Sequence, residues 1–222
     1  MQYQIKRSKR RTITLEVKSN AEIVIRAPFR VSDSVIDGLV QKRKDWIAEK
    51  LNLVKKRNSN KITKKYIVGE HFLFFGKDYE LKFIKNQKEK IVFGNAIYIK
   101  EKYFSKSKDI LLNWYKQEAL KYYISRAGEL SLKYDFNPKS IKLSNAKKRL
   151  GVCNQYNDIR INWRLIVAPK DVIDYVLVHE LVHIKIKNHS KNYWSKIALI
   201  LPDYKKKEAW LKANKHELFF DI

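Results

Sequence analysis

Residues 170–186, KDVIDYVLVHELVHIKI, determine how the C-terminal part of this chain is built. Pro169 precedes a run with helical spacing of apolar residues, and acidic residues occupy its first turn, which predicts a helix. The apolar positions are Val172, Ile173, Val176, Leu177, Val182 and Ile186. His179 and His183 are four residues apart, so both rings lie on one face of the helix. The helix therefore offers two ligands to one metal ion.

A third histidine lies where the chain is expected to turn after this helix. Asn188 tolerates the left-handed conformation that ends helices, and Ser190 can cap a further helix over residues 191–200. His189 falls between them and could reach the ion that the first two histidines face. A lone histidine is most simply an ordinary core or surface residue, whereas three at this spacing favour a shared ion. The pattern predicts zinc with three histidine ligands.

Glu180 follows His179 directly and lies roughly 100° further round the helix. From there its carboxylate can touch a water on the ion without being a ligand itself. A structural zinc has four protein ligands, but only three are apparent here, which leaves one position open. The arrangement therefore favours a catalytic metal over a purely structural one.

The composition indicates a folded protein with a substantial core. The chain has 222 residues, of which 45% are hydrophobic and 13% aromatic. Its one cysteine, Cys153, excludes an internal disulfide and a cysteine-based zinc site. No apolar run approaches the length of a membrane span, and no targeting segment is evident. We therefore expect a cytoplasmic protein without a membrane partner.

The net charge of +25 would attract polyanions such as nucleic acid, acidic proteins or an anionic membrane surface. Most of the excess is lysine, which lacks the guanidinium fork that reads bases, so a solvated basic surface is an equally good interpretation. A nucleic-acid partner is thus an alternative primary role. The lysines that crowd the histidine stretch are Lys185, Lys187, Lys191, Lys196 and Lys205 to Lys207.

The first hundred residues are predicted to be rich in β-structure. Residues 3–28 read as a β-hairpin, and Ser32 can cap one helix over residues 33–56, followed by a linker over 55–61. Short strands are predicted at residues 66–68, 71–75, 79–84, 91–93 and 97–99. We assign residues 1–104 to this β-rich region.

The remainder is predicted to be mostly helical. A long helix over residues 107–134 has an aromatic stripe more typical of core than of a base-stacking platform. Strands at 141–145 and 159–162 enclose a loop, and one short helix follows Pro202. The loop includes Lys147, Lys148, Arg149, Gly151, Cys153 and Asn154. The fold class is therefore α+β, with residues 105–222 as the second domain.

The chain resembles the YgjP-like zinc metallopeptidases, which are related to the SprT-like proteases. The resemblance covers most of the chain and is carried by Arg10-Arg11-Thr12, Asn162-Trp163-Arg164-Leu165, Ala168-Pro169, His179 to His183, Asn188-His189-Ser190 and Trp194. The family's Arg-Trp-Gly-Ser-Cys segment appears here as Arg149-Leu150-Gly151-Val152-Cys153. The tryptophan and serine are thus replaced, which leaves the role of this loop open.

The resemblance implies a zincin-like metallopeptidase that cleaves a peptide or protein substrate. It implies His179, His183 and His189 as zinc ligands and Glu180 as general base. The residue chemistry agrees, because a zinc-activated water attacks a carbonyl while the carboxylate moves its proton.

The sequence allows several residues in supporting roles. The second ring nitrogen of each ligand could be held by Asp171, Asp174 or a backbone carbonyl. Tyr193, Arg149 or His216 could help the zinc to stabilise the oxyanion. Tyr193 is as simply explained by packing, Arg149 by a surface charge and His216 by an exposed tail.

Overall fold

The computed structural model describes residues 2–59 and 64–219 of the chain. The chain divides into two compact units, Met1–Ile62 and Thr63–Ile222. The mixture of small sheets and helices confirms the α+β class and the β-rich N-terminal region. The assignment of residues 105–222 to a separate peptidase domain stays a prediction.

The first unit is a three-stranded sheet followed by two helices. Strands β1 (Gln4–Ser8), β2 (Thr14–Val17) and β3 (Ile23–Pro28) form the sheet in the order β1-β3-β2, and helices α1 (Asp33–Lys42) and α2 (Lys44–Ser59) follow. The antiparallel β2–β3 pair confirms the predicted hairpin, while β1 adds a parallel strand. Apolar residues from the sheet and both helices form the core: Ile23, Ile25, Ala27, Ile36, Val40 and Ile47.

The prediction of a single helix over residues 33–56 was wrong. Arg43, at φ −106° and ψ 13°, leaves the helical region, and its N–H bonds to the carbonyls of Leu39 and Val40. Apolar spacing continues across this break, so the pattern alone does not reveal it. Residues 55–59 of the predicted linker belong to α2, and residues 60 and 61 lie outside the described residues.

The second unit begins with a four-stranded sheet. Its strands are β4 (His71–Phe74), β5 (Lys77–Ile84), β6 (Ile91–Phe93) and β7 (Ile97–Lys100), in the order β4-β5-β7-β6. The strand predicted at residues 66–68 was wrong. Tyr66 has a positive φ of 59°, and the carboxylate of Glu70 accepts the N–H groups of Lys65 and Tyr66. A side-chain acceptor therefore replaces a strand partner there.

Helix α3 (Ser107–Tyr134) is the central element of this unit and confirms the predicted long helix. Trp114, Tyr115 and Tyr123 are buried, as expected of a core stripe. The Tyr115 hydroxyl donates to the carbonyl of Leu73 at 2.7 Å, and the Tyr123 hydroxyl donates to that of Asn162 at 3.2 Å. The buried tyrosines therefore tie α3 to the strands on either side of it in sequence.

A third sheet and three helices complete the unit. Strands β8 (Ser140–Ser144), β9 (Gly151–Cys153) and β10 (Asp158–Asn162) have the order β8-β10-β9, followed by helices α4 (Lys170–Lys185), α5 (Lys191–Ile200) and α6 (Tyr204–Phe219). Strand β9 lies where the sequence predicted only loop, and α6 is longer than the short helix expected. Among the described helices, none combines the length and apolar character that a bilayer span requires.

A bidentate ion pair connects α3 to α4. Arg126 Nε donates to Asp174 Oδ1 at 2.9 Å, and its Nη2 donates to Oδ2 at 2.7 Å. Because the Asp174 side chain is only 17% exposed, its charge is poorly solvated without the arginine. The pair therefore holds the histidine-bearing helix against the long helix.

We expect Arg126→Ala to lower the free energy of unfolding by about 1–3 kcal/mol, since it leaves a half-buried carboxylate without its partner. Urea unfolding followed by circular dichroism measures this change. Lys121→Ala, at an exposed position on the same helix, is the control and should stay within about 0.5 kcal/mol. Equal stability of the two variants would show that the ion pair does not contribute.

Candidate metal centre

Three imidazole rings meet at the end of α4. His179 and His183 lie on consecutive turns of the helix, and His189 lies in the connection to α5. One ring nitrogen from each lies within 4.8 Å of the others, and the Nε2 atoms of His179 and His189 are 3.1 Å apart. Ligands at tetrahedral zinc are about 3.3 Å apart, given zinc–nitrogen bonds near 2.05 Å. The cluster therefore has the chemistry and spacing to hold one divalent ion.

Hydrogen bonding and burial prepare these rings as ligands. His183 Nδ1 lies 3.0 Å from the carbonyl of Ile186, which selects the tautomer with Nε2 free for a metal. Burial, together with His183 and His189, lowers the pKa of His179 to about 3, so this ring is neutral. Asp171 and Asp174 are instead paired with Lys207 and Arg126. Of the three supports considered, the backbone carbonyl is the one seen.

Aromatic side chains of α5 pack against the histidine rings and hold them in position. Tyr193 is fully buried, its ring stacks on His183 at 4.6 Å, and its hydroxyl donates to the backbone carbonyl of His179 at 3.0 Å. Trp194 stacks on His189 at 5.8 Å and on Tyr204 at 5.6 Å. The structure thus places Tyr193 in contact with the histidine cluster, and its hydroxyl forms a hydrogen bond with the backbone of α4.

Glu180 lies under strand β9 and is only 5% exposed. A Cβ atom added to Gly151 would stand 2.4 Å from Glu180 Oε1 and 2.7 Å from its Cγ. Burial raises the pKa of Glu180 to about 7, and the backbone N–H of Cys153 opposes this by donating to the carboxylate. The absence of a side chain at residue 151 is therefore what leaves room for Glu180.

Asn162 holds the segment that leads into β9. It is fully buried, and its side-chain amide donates to the carbonyls of Ala146 at 2.6 Å and Arg149 at 3.2 Å. Its backbone N–H donates to the carbonyl of Leu150 at 2.7 Å. Asn162 and Gly151 were not identified as site residues by sequence reasoning. They stood only within segments that carry the family resemblance.

A cleft of about 710 Å³ opens beside the cluster. His179 and Glu180 line it together with Tyr175 of the same helix. Residues 149–151 also line it, as do Lys205, Ala209 and Lys212 of α6. Arg149 is therefore at the cleft beside Glu180, whereas the side chain of His216 lies outside the described residues. A molecule in this cleft would contact both Glu180 and His179.

Several lysines near the cluster contact neighbouring residues. Lys185 Nζ lies 2.6 Å from Asp135, Lys187 donates to Asn157 Oδ1 at 2.7 Å, and Lys207 lies 2.7 Å from Asp171. These contacts hold the helices and the β9–β10 connection together. A nucleic-acid partner bound through this group of lysines stays a prediction.

Comparison with known families gives a match over nearly the whole chain. The family described as YgjP-like, metallopeptidase domain, matches residues 11–214. Comparison with curated proteins and with solved structures finds no match. The matched region contains the three histidines, Glu180 and the strand that covers it.

Proposed function

Because the chain belongs to the YgjP-like metallopeptidase family, we propose that it is a zinc-dependent peptidase in which Glu180 is the general base. Family membership indicates a metal-dependent hydrolase. We add to this that the metal is zinc and that Glu180 transfers the protons. The convergence of three histidine nitrogens within 4.8 Å beside an open cleft is the observation that carries it.

The donor set fits zinc. His179, His183 and His189 would hold the ion through neutral imidazoles, the ligands that zinc commonly takes in catalytic sites. When bound, zinc lowers the pKa of a coordinated water to about 7 and polarises a substrate carbonyl. Three protein ligands would leave one coordination position for water, as in catalytic zinc sites, which argues against a purely structural role.

Glu180 would carry the proton transfers. Its carboxylate follows the first ligand in sequence and faces the same cleft, within a pocket closed by β9. There it can accept the proton of the attacking water and return it to the leaving amine, so that both steps are assisted. Arg149 lines the cleft beside it, and this position supports a contact between Arg149 and the developing oxyanion.

We expect purified protein to carry about one zinc per chain and His189→Ala to lose most of it, because the variant keeps only two ligands. Inductively coupled plasma mass spectrometry identifies and counts the metal. A peptidase assay on an unstructured protein, before and after chelation and zinc return, tests the activity.

His71→Ala is the matched control, since His71 lies in β4 and pairs with Asp78 at 2.7 Å. It should keep its zinc. Full zinc retention by His189→Ala would remove His189 from the ligand set, and hydrolysis that is absent from the zinc-loaded protein would contradict the proposed function.

A further inference from the structure

A second concave site lies in the first unit. The paired register of β1 and β3 sets Ser8 opposite Pro28, so the segments that follow both strands emerge at the same edge of the sheet. They enclose a pocket of about 500 Å³, lined by Ser8, Lys9, Arg10, Arg11, Pro28, Phe29 and Arg30. Four of these residues are cations and none is an acid. The pocket therefore attracts anions.

The positive charge of this pocket comes mainly from arginine, whereas the excess positive charge of the chain comes mainly from lysine. Seven of the eleven arginines lie within residues 1–62. Arginine presents a planar fork that fits phosphate oxygens in pairs, which lysine does not. An arginine-lined pocket therefore points to phosphate more specifically than the net charge does.

The cations of the pocket have no acidic partners among the described residues. Arg7, by contrast, bonds to the carbonyl of Val31 and pairs with Asp33, so its charge is used within the fold. Lys9, Arg10, Arg11 and Arg30 form no such ion pair in the described part of the chain. The four charges are thus free for an external anion.

Arg10 also has an unmet hydrogen-bonding group. Its Nε atom is buried and has no hydrogen-bond partner within the described residues. A buried donor without a partner costs stability, and most such groups in folded proteins are satisfied. Arg10 therefore keeps hydrogen-bonding capacity that the described part of the fold does not use.

An exposed aromatic ring stands at the same pocket. Phe29 is 65% exposed and lies between Pro28 and Arg30 in the lining. Positive groups beside exposed aromatic rings are the combination that binds single-stranded nucleic acid, with phosphates on the cations and bases stacked on the rings. A simple inorganic anion would make no use of the ring.

We propose that this pocket binds single-stranded nucleic acid, with backbone phosphates contacted by Arg10, Arg11 and Arg30 and a base stacked on Phe29. The pocket shares no residue with the histidine cluster, so we expect binding to require neither zinc nor hydrolysis. Stacking and phosphate contact carry little base preference, and the site is expected to tolerate many sequences.

Fluorescence anisotropy with labelled single-stranded DNA and RNA of about twelve nucleotides tests this, using the full chain at about 0.15 M salt. The triple variant Arg10→Gln, Arg11→Gln, Arg30→Gln should bind at least about tenfold more weakly. The slope of log affinity against log salt should fall by about 2, because three phosphate contacts are lost.

The matched control removes the same charge elsewhere. Lys85, Lys88 and Lys121 are exposed residues of the second unit, and changing all three to glutamine also lowers the net charge by three. The control should bind nearly as the wild type does. Equal weakening by the two triple variants would show a general basic surface and overturn the proposal. If the arginine triple variant is not folded by circular dichroism, Arg11→Gln with Arg30→Gln, both exposed, replaces it.

Phe29 separates nucleic acid from other polyanions. Phe29→Ala should weaken oligonucleotide binding by roughly tenfold, and Phe29→Tyr should restore it, because only the aromatic ring can stack. Binding of inorganic polyphosphate should not respond to either change. An unchanged affinity of Phe29→Ala for oligonucleotides, or tighter binding of polyglutamate or anionic vesicles than of oligonucleotides, would overturn the assignment.

His189→Ala should bind oligonucleotides as the wild type does, which keeps this test independent of the metal centre.

Discussion

Replacing Glu180 with glutamine should lower peptide turnover by roughly 10²–10⁴-fold while zinc content and fold are kept. The two side chains have the same shape, so glutamine fits the space that Gly151 leaves, and its amide oxygen can still accept the N–H of Cys153. An amide cannot accept the proton of the attacking water at neutral pH. A loss of turnover with zinc content unchanged therefore reports the loss of proton transfer and not a loss of metal binding.

Steady-state kinetics on zinc-loaded wild type and variant measure this effect, together with metal content and thermal unfolding. Glu89→Gln is the matched control, since it makes the same chemical change at an exposed position outside the cleft. Its turnover should equal that of the wild type. Undiminished turnover by Glu180→Gln, with full zinc occupancy, would rule out Glu180 as the base.

The second large effect is expected at a residue that takes no part in proton transfer. Gly151→Ala places a Cβ where Glu180 Oε1 would be 2.4 Å away, closer than non-bonded atoms approach. Either Glu180 rotates out of its position or β9 moves away from α4. A displacement of about 1 Å costs on the order of 100-fold in rate, and we expect a loss of that size in kcat. Zinc affinity should be unaffected.

Gly128→Ala provides the comparison, because a Cβ there meets nothing within 4 Å and the residue is exposed on α3. It should keep full activity and gain about 0.5–1 kcal/mol of stability. The variant that combines Gly151→Ala with Glu180→Gln is decisive. If Gly151 acts through Glu180, the double variant should turn over substrate no more slowly than Glu180→Gln alone. A loss in the double variant equal to the product of the two single losses would show that Gly151 does not act through Glu180.

Elements with a long periodic pattern could be predicted from the sequence. Helix α3 and helix α5 were confirmed, and α4 was confirmed to within a residue. The convergence of the three histidines was also foreseeable, because two of them share one helix face and the third follows a recognisable helix end. Helical geometry aligns His179 with His183, and the short connection to α5 keeps His189 close to them.

The parts that were missed depend on tertiary contacts. Strand β9 has three residues, which is too few for an alternating pattern, and it exists because β10 pairs with it. The bend at residue 66 exists because Glu70 accepts its N–H, and no local propensity signals that bond. Asn162 reads as an ordinary polar residue until its partners, which lie at residues 146 and 149, are known.

The three histidines and the pocket around Glu180 are built from different parts of the chain, which implies that they form in a particular order during folding. The three histidines come from eleven consecutive residues, so they can meet once one helix and one turn have formed. Short-range contacts form early, because closing a short loop loses little chain entropy. The enclosure of Glu180 instead awaits the pairing of β9 with β10 and the closing of Asn162 on its loop. For the proposed peptidase, we therefore expect a newly made chain to bind its metal before Glu180 is enclosed, and to become able to hydrolyse a substrate only after that.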